Sequence, residues 1–348
     1  MKVLMKGNEA IAEAAIKAGC KTFFGYPITP QSEIPEYMAI KLPQIGGVFI
    51  QAESETAAIN MVYGAAAAGV RVLTSSSSPG IALKQEGISY LVGADLPCVI
   101  VSVSRSGPGL GGILPAQSDY FQATRGGGNG DYYLPVLAPN SIQEATDLVF
   151  KAFDMADTYR TPVMLLLDGM LGQMMEPVEI KDYSPPNISK DWATDGNSAN
   201  RPRNVVNSLN LSAEELEKEN MRRFQTYDKI KANETMVENS TKEGDTVAIV
   251  AYGTPSRIAL NAIQQLEKEG ISVGIIRPIS LWPFPYDVFQ HLPSTIKHIL
   301  VCELSMGQMI DDVKIGVAGK YPVHFYGRCG GMIFEPAEIC EKIRGILK

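Results

Sequence analysis

The sequence predicts an α/β protein made of two successive units, the first a doubly wound, mostly parallel sheet with helices on both faces. Three observations carry this. Short apolar runs alternate with helical stretches from residue 8 to about 180, and again from 245 to 348. The runs over 96–104 and 162–167 read as strongly apolar strands. Between the two regions, residues 184–211 are rich in Pro, Asn and Ser and have no period, which marks a linker or a surface-wrapping segment.

In chain order, Asn8 reads as the N-cap of a helix over 8–17, followed by a strand over 20–24. The break Gly25-Tyr26-Pro27-Ile28-Thr29-Pro30 places Thr29 as an N-cap and Pro30 at the first position of a helix over 31–40. Such a helix start would suit a carboxylate, or serve as a plain cap. Residues 46–50 read as a buried strand, the Ala-rich 56–68 as a closely packing helix, and 70–73 as a strand opening into a hydroxyl-rich loop over 75–80. A helix over 81–92 and the strand over 96–104 follow, ending in Arg105 and a glycine-rich segment. That segment contains G-x-G-x-x-G. Pro108 and Pro115 oppose a helix there, and no ribose-binding acid follows a strand at the required distance, so a dinucleotide site is rejected. A short helix over 119–124, a loop over 126–131 and a strand over 134–137 come next. Ser141 and Glu144 form a capping box for a helix to 157, and the strand over 162–167 ends at Asp168.

A helix from 212 carries Leu216, Met221, Phe224, Tyr227 and Ile230 near one face, fit to bridge the units or to bind another subunit. In the last unit, strands over 246–252, 273–277, 298–302 and 323–326 alternate with helices, and Thr254-Pro255 repeats the Thr-Pro cap.

The 348 residues suffice for two cores. A net charge of −7 without a basic patch argues against a nucleic-acid partner. No apolar run approaches the ~20 residues that span a bilayer, and the N-terminus turns polar too soon for a signal peptide, so a cytoplasmic location is expected. The five cysteines form no Cys-x-x-Cys, which argues against an iron–sulfur cluster or metal site held by this chain. His291, His298 and His324 lie far apart and suit core or surface roles.

The chemistry centres on residues 51–80, where a strand, an acid at its carboxyl end, a helix, a second strand and a polar loop make a βαβ unit with a crevice. From spacing alone, Glu55 is either a first-turn acid favoured by the helix dipole or a carboxylate facing that crevice. Arg105 could clamp a carboxylate through its planar fork or pair with a surface acid.

The stretch QAESETAAINMVYGAAAAGVRVLTSSSSPG, with YPITPQSE at 26–33, SRSGPGLG at 104–111 and LDGMLGQ at 167–173, resembles the pyrimidine-binding domain of thiamine diphosphate enzymes. The likeness is to the alpha-type chain of 2-oxoacid:ferredoxin oxidoreductases, closest to the 3-methyl-2-oxobutanoate (2-oxoisovalerate) type. AYGTPSR and ISVGIIRPISLWPFP are similar to the C-terminal domain of transketolase-like enzymes. The resemblance implies a pyrimidine-binding domain over 1–182, a linker and bridging helix over 183–244, and a transketolase C-terminal-like domain over 245–348. It implies thiamine diphosphate, with Glu55 at the position of the family's glutamate. There a carboxyl bonded to the aminopyrimidine ring favours the imino tautomer, and the cofactor serves as the electron sink for decarboxylation. By the same likeness Tyr26, Pro27, Ile28, Ser78, Pro79 and Gly80 bind cofactor, Thr29 and Arg105 hold the substrate's carboxylate and 2-oxo group, and Glu53 is secondary.

The chain has no Gly-Asp-Gly. The family's organisation therefore implies a beta-type partner that binds Mg²⁺ and the diphosphate and carries a nearby iron–sulfur cluster. Gamma- and delta-type chains are also implied, with two copies of each in the complex, and oxygen-sensitive clusters suggest an anaerobe. The implied reaction takes a 2-oxo acid, coenzyme A and oxidised ferredoxin to acyl-CoA, CO₂ and reduced ferredoxin. No second basic group stands near Arg105, which leans toward a branched apolar substrate. A 2-oxoglutarate or pyruvate form and a non-catalytic assembly subunit are the alternatives.

Overall fold

The computed structural model describes residues 2–196 and 201–348; Met1 and residues 197–200 of the expected linker lie outside them. The first region contains β1 (Val3–Lys6), α1 (Gly7–Lys17), β2 (Thr22–Gly25), α2 (Glu33–Gln44), β3 (Val48–Gln51), α3 (Glu55–Ala67), β4 (Val72–Ser76) and α4 (Ser78–Gly93). It continues through β5 (Cys98–Ser104), α5 (Tyr120–Thr124), β6 (Val136–Leu137), α6 (Ile142–Tyr159), β7 (Pro162–Asp168), α7 (Gly169–Gln173) and β8 (Met175–Val178). The second region contains α8 (Ala213–Glu234), β9 (Val237–Asn239), β10 (Val247–Val250), α9 (Gly253–Lys268), β11 (Val273–Pro278) and β12 (Ser280–Trp282). It closes with β13 (His298–Glu303), α10 (Met309–Val317), β14 (Val323–Gly327) and α11 (Pro336–Ile346).

The main sheet has seven strands in the order β12-β6-β7-β5-β4-β2-β3, parallel throughout except for β12. Its central strands β5 and β7 are buried along their whole length, including Ser102, Ser104 and Asp168 toward their carboxyl ends. Phe23, Val99, Val101 and Val103 face α1, α2 and α6, while Phe24 and Ile100 face α3 and α4. The helix after β2 thus covers one face and the helix after β4 the other. The neighbouring pair β4 and β2 is the topological switch point, and a crevice opens there at the strands' carboxyl ends.

The C-terminal sheet has the order β14-β13-β10-β11-β9, with β9 antiparallel. β12 leaves this unit and pairs antiparallel with β6, Ser280 against Leu137 and Trp282 against Val136, so the C-terminal half supplies an edge strand of the first sheet. Residues 184–196 and 201–211 contain no helix or strand and wrap the first unit. The Thr194 N–H donates to the Ala67 carbonyl at 2.7 Å, and Arg160 lies over the Trp192 ring at 4.5 Å. On α8 only Tyr227 and Ile230 are buried; Leu216 and Met221 are exposed, so the apolar face is half used.

Several local expectations are corrected. The strand expected to be buried over 46–50 is the edge strand β3, with Val48 and Ile50 exposed. Residues 75–80 are not a loop: Ser75 and Ser76 end β4, Ser77 is the N-cap, and Ser78-Pro79-Gly80 form the first turn of α4, where proline's fixed φ fits. Thr29 is not a cap: α2 begins at Glu33, with Ser32 at its N-cap position. Asn8 lies inside α1, its amide donating to the Pro30 carbonyl at 2.8 Å and to Glu33 at 2.7 Å. The Ser141 hydroxyl does cap Glu144 N–H, but the Glu144 carboxylate accepts from Asn140 N–H and Arg277.

Candidate active site

The crevice is built by the ends of β2, β3, β4 and β5. β3 delivers Ala52 to Ser54, and the Ser54 hydroxyl accepts from Ala57 N–H, which starts α3 with Glu55 as its first residue. Glu55 is 7% exposed. Among the described residues no protein group donates a hydrogen bond to its carboxylate, so its acceptor capacity is open to a ligand. Glu53, two residues earlier, is exposed.

Gly80 stands directly against Glu55. A Cβ added at Gly80 would lie 2.1 Å from the Ser76 hydroxyl oxygen and 2.7 Å from Glu55 Oε1. Only glycine lets the first turn of α4 approach so closely. Among the described residues, the buried Ser76 and Ser77 hydroxyls have no protein partner. A buried carboxylate without a donor, two unpartnered hydroxyls and a glycine-lined approach suit a planar, hydrogen-bonding heterocycle such as the aminopyrimidine of thiamine.

Across the switch point, the Ser75 hydroxyl donates to Gln31 Oε1, and the Gln31 amide donates to the Tyr26 carbonyl at 3.2 Å. This ties β4 to the 26–31 loop. Tyr26 and Ile28 are half-buried, and Pro27 and Thr29 are exposed at the crevice rim. Lys84, one turn beyond Gly80 on α4, is fully buried; its ammonium donates to Thr74 Oγ1 at 2.7 Å and to the Ser75 carbonyl at 3.0 Å. Burial pushes its pKa down to about 7, although Glu55 and then Cys98 pull the other way.

Arg105 ends β5 and is 6% exposed. Its guanidinium donates to the Thr29 carbonyl at 3.0 Å and to the Leu110 carbonyl at 2.9 Å, and its Nε–H has no partner. Thr29 and Arg105 are therefore brought together, but through the Thr29 backbone. Ser78 turns from Glu55 toward Arg105: its hydroxyl bonds Asp119, and it accepts from Arg105 N–H at 2.9 Å. Burial raises the Asp119 pKa, opposed by the Ser78 bond. Residues 106–115 fold back so that Ser106 N–H reaches the Leu114 carbonyl at 3.1 Å, and no helix begins there, consistent with rejecting a dinucleotide loop.

Sequence reasoning missed Lys84, Ser76, Gln31 and Asp119. Lys84 sits in IALKQEGI beside the polar Gln85 and Glu86, so only its spacing of four residues from Gly80, which puts the two on one helix face, pointed toward the crevice.

With this geometry in hand, comparison with known proteins decides the lineage. The family model described as "Pyruvate flavodoxin/ferredoxin oxidoreductase, thiamine diP-bdg" matches residues 13–247, and that of "Pyruvate:ferredoxin oxidoreductase core domain II" matches 246–339. The chain belongs to the 2-oxoacid:ferredoxin oxidoreductase family. Ketoisovalerate oxidoreductase subunit VorB of Methanothermobacter thermautotrophicus is 47% identical over 99% of this chain and 97% of its own. 2-Oxoglutarate synthase subunit KorA of Methanothermobacter marburgensis is 34% identical over 98% of each chain. Among solved structures of the family, a 2-oxoglutarate:ferredoxin oxidoreductase from Magnetococcus marinus, with 2-oxoglutarate, coenzyme A and succinyl-CoA bound, superposes with a TM-score of 0.88 at 28% identity. The match covers all of this chain and 65% of that longer one. A split-gene transketolase, at 14% identity and a TM-score of 0.60 over 99% of this chain, shares the fold. The chain is thus an oxidoreductase subunit with an α/β thiamine-diphosphate-type architecture. No helix among the described residues is long and apolar enough to cross a membrane.

Proposed function

We propose that this chain supplies the pyrimidine-side half of a thiamine diphosphate site in a multi-subunit enzyme that oxidatively decarboxylates a branched 2-oxo acid, 3-methyl-2-oxobutanoate, with coenzyme A and ferredoxin. The observation that carries the reading is Glu55, a buried carboxylate without a protein donor, set against Gly80 at the switch-point crevice. The cofactor, when bound, supplies the electron sink for loss of CO₂. Glu55 would accept a hydrogen bond from the aminopyrimidine ring and hold or return its proton, while Gly80, Ser76 and Ser77 shape that end of the pocket. Tyr26, Pro27 and Ile28 would line its rim, and Pro79 would fix the turn that carries Ser78 and Gly80. Ser78 acts one step away, by fixing Arg105. Arg105, with its free Nε–H and its hold on the Thr29 loop, would orient the substrate's carboxylate and 2-oxo group.

The absence of Gly-Asp-Gly from the sequence supports a beta-type partner for Mg²⁺ and the diphosphate. Iron–sulfur clusters then reside in partner chains, and gamma- and delta-type subunits complete an assembly with two copies of each. The three-part division at 182/183 and 244/245 and a cytoplasmic location belong to the same reading. The branched substrate rests on the 47% identity to a ketoisovalerate oxidoreductase subunit and on the lack of a second basic group beside Arg105. A 2-oxoglutarate form is the second reading, favoured by the KorA likeness. Reconstitution with the neighbouring subunits and viologen-linked, CoA-dependent assays decide between them. Preference for 2-oxoisovalerate in the assembled complex alone is expected; preference for 2-oxoglutarate sinks the substrate assignment. A Glu55→Gln complex of full activity would make the chain an assembly subunit.

A further inference from the structure

We propose that Lys84 is a positioning residue for Glu55, its buried side chain supplying the positive charge that balances the Glu55 carboxylate across the first turns of α4. The inference deepens the reading of Glu55 as the ring-facing acid and rests on it. Gly80 and Lys84 are separated by four residues on α4 and so lie on one face of the helix. Gly80 stands against Glu55 and Ser76, and the Lys84 ammonium reaches the carbonyl of the neighbouring Ser75, so both charged side chains converge on the same end of β4. The ammonium is anchored on β4 by Thr74 Oγ1 and the Ser75 carbonyl, and Thr74 in turn donates to the Phe24 carbonyl at 2.6 Å.

Both anchors are uncharged. The titratable groups set against Lys84 from the surrounding elements are Glu55 on α3 and Cys98 on β5, and Cys98 is a buried thiol whose pKa burial raises. Glu55 is therefore the group able to oppose the ammonium with a full negative charge. A buried cation is costly without a counter-ion, and a buried carboxylate without a donor is costly without a cation. The Glu55 charge offsets part of the penalty of burying the ammonium, and needs no direct bond to do so at interior dielectric. The arrangement leaves the Glu55 oxygens free for the ligand, which a contact ion pair would not.

The test reads Lys84 itself. In the full chain labelled with [¹³C]lysine, the Lys84 Cε resonance is assigned by its loss in Lys84→Met, or in Lys84→Gln should the methionine variant not fold. Its titration midpoint is then compared between the wild type, Glu55→Gln and the exposed control Glu53→Gln. A coupled pair predicts that Glu55→Gln lowers the midpoint by about one pH unit or more, and that Glu53→Gln leaves it in place. An unmoved midpoint in Glu55→Gln, or an equal movement in both variants, overturns the proposal. The measurement needs no cofactor or partner, so failure of the thiamine reading, seen in the reconstituted assay, is distinguishable from failure of the pair.

Discussion

At the scale of single residues, the site turns on charge and on one missing methyl group. Glu55→Gln keeps the volume and removes the exchangeable proton. In the reconstituted complex kcat should fall by about 10²–10⁴, the usual worth of acid–base catalysis, with an unchanged circular dichroism spectrum. Gly80→Ala places a carbon 2.1 Å from the Ser76 oxygen and 2.7 Å from Glu55 Oε1. Either α4 shifts or the crevice closes, at a cost of about 1–3 kcal/mol, and thiamine binding measured by calorimetry should be lost before stability is. Arg105→Ala removes a charge-assisted contact worth ~1.5–3 kcal/mol, and KM for the 2-oxo acid should rise about 10- to 100-fold. Because the guanidinium also holds the Thr29 and Leu110 carbonyls, the same variant should be cut faster by protease within 106–114. An unchanged KM would confine Arg105 to that structural duty. Spacing alone left Glu55 as either a first-turn acid or a crevice carboxylate and Arg105 as either a clamp or a surface ion pair, whereas through the family resemblance Glu55, Gly80 and Arg105 were legible. The inward turn of Lys84 and the outward turn of Ser78 were not, since rotamer and tertiary partner decide them.

At the scale of elements, α4 is the informative case. Proline at its first turn and Ser77 as N-cap are local chemistry, yet a run of four serines and a proline reads equally well as a loop. The Thr-Pro pairs show the opposite failure. Both carry the signature of a capped helix start, but α2 begins only at Glu33, and Thr254 crosses to the first unit, its hydroxyl donating to Asp168 at 2.9 Å. A cap motif describes only its own backbone, whereas these threonines are placed by partners far along the chain. The buried lysine on α4 also gives a stability signature with a definite sign. Its pKa is about 7 folded against 10.5 for the free side chain, so between those values the unfolded chain binds a proton that the folded chain does not. Folding stability from this group therefore rises as pH increases from about 7 to 10.5, by up to ~1.4 kcal/mol per pH unit, and its penalty is fully present below pH 7. Urea unfolding of Lys84→Met between pH 7 and 9.5 should show a flatter pH dependence than the wild type; parallel curves would mean that Lys84 titrates like an exposed lysine.

At the scale of the whole molecule, alternation of strands and helices marked the two-sheet plan, and the Pro, Asn and Ser content of 184–211 marked the linker or wrapping segment. The exchange of β12 into the first sheet was illegible, because three residues, Ser280 to Trp282, carry no period and their pairing partner lies some 140 positions earlier. That exchange makes the two units one folding body. Trp282 stacks on Tyr133 at a centroid distance of 4.9 Å, with Tyr227 of α8 edge-on at 5.4 Å, so three segments meet on one indole. The same core cluster runs from Ile59 and Ile81 of the first unit to Val301 and Met309 of the second. Polar ties run alongside it: Gln117 donates to the Tyr252 carbonyl at 2.9 Å, and Tyr120 and Arg125 both reach the buried Asp312. A chain joined this way should unfold in a single calorimetric transition, with both units melting together. Trp282→Ala removes the indole at the junction and should cost about 3–5 kcal/mol. It should also split the transition, because each sheet keeps its remaining strands while the core between them is breached. A single transition at unchanged Tm would show instead that the polar ties, among them Gln117 to Tyr252, Thr254 to Asp168 and Arg277 to Glu144, hold the two units together without the indole.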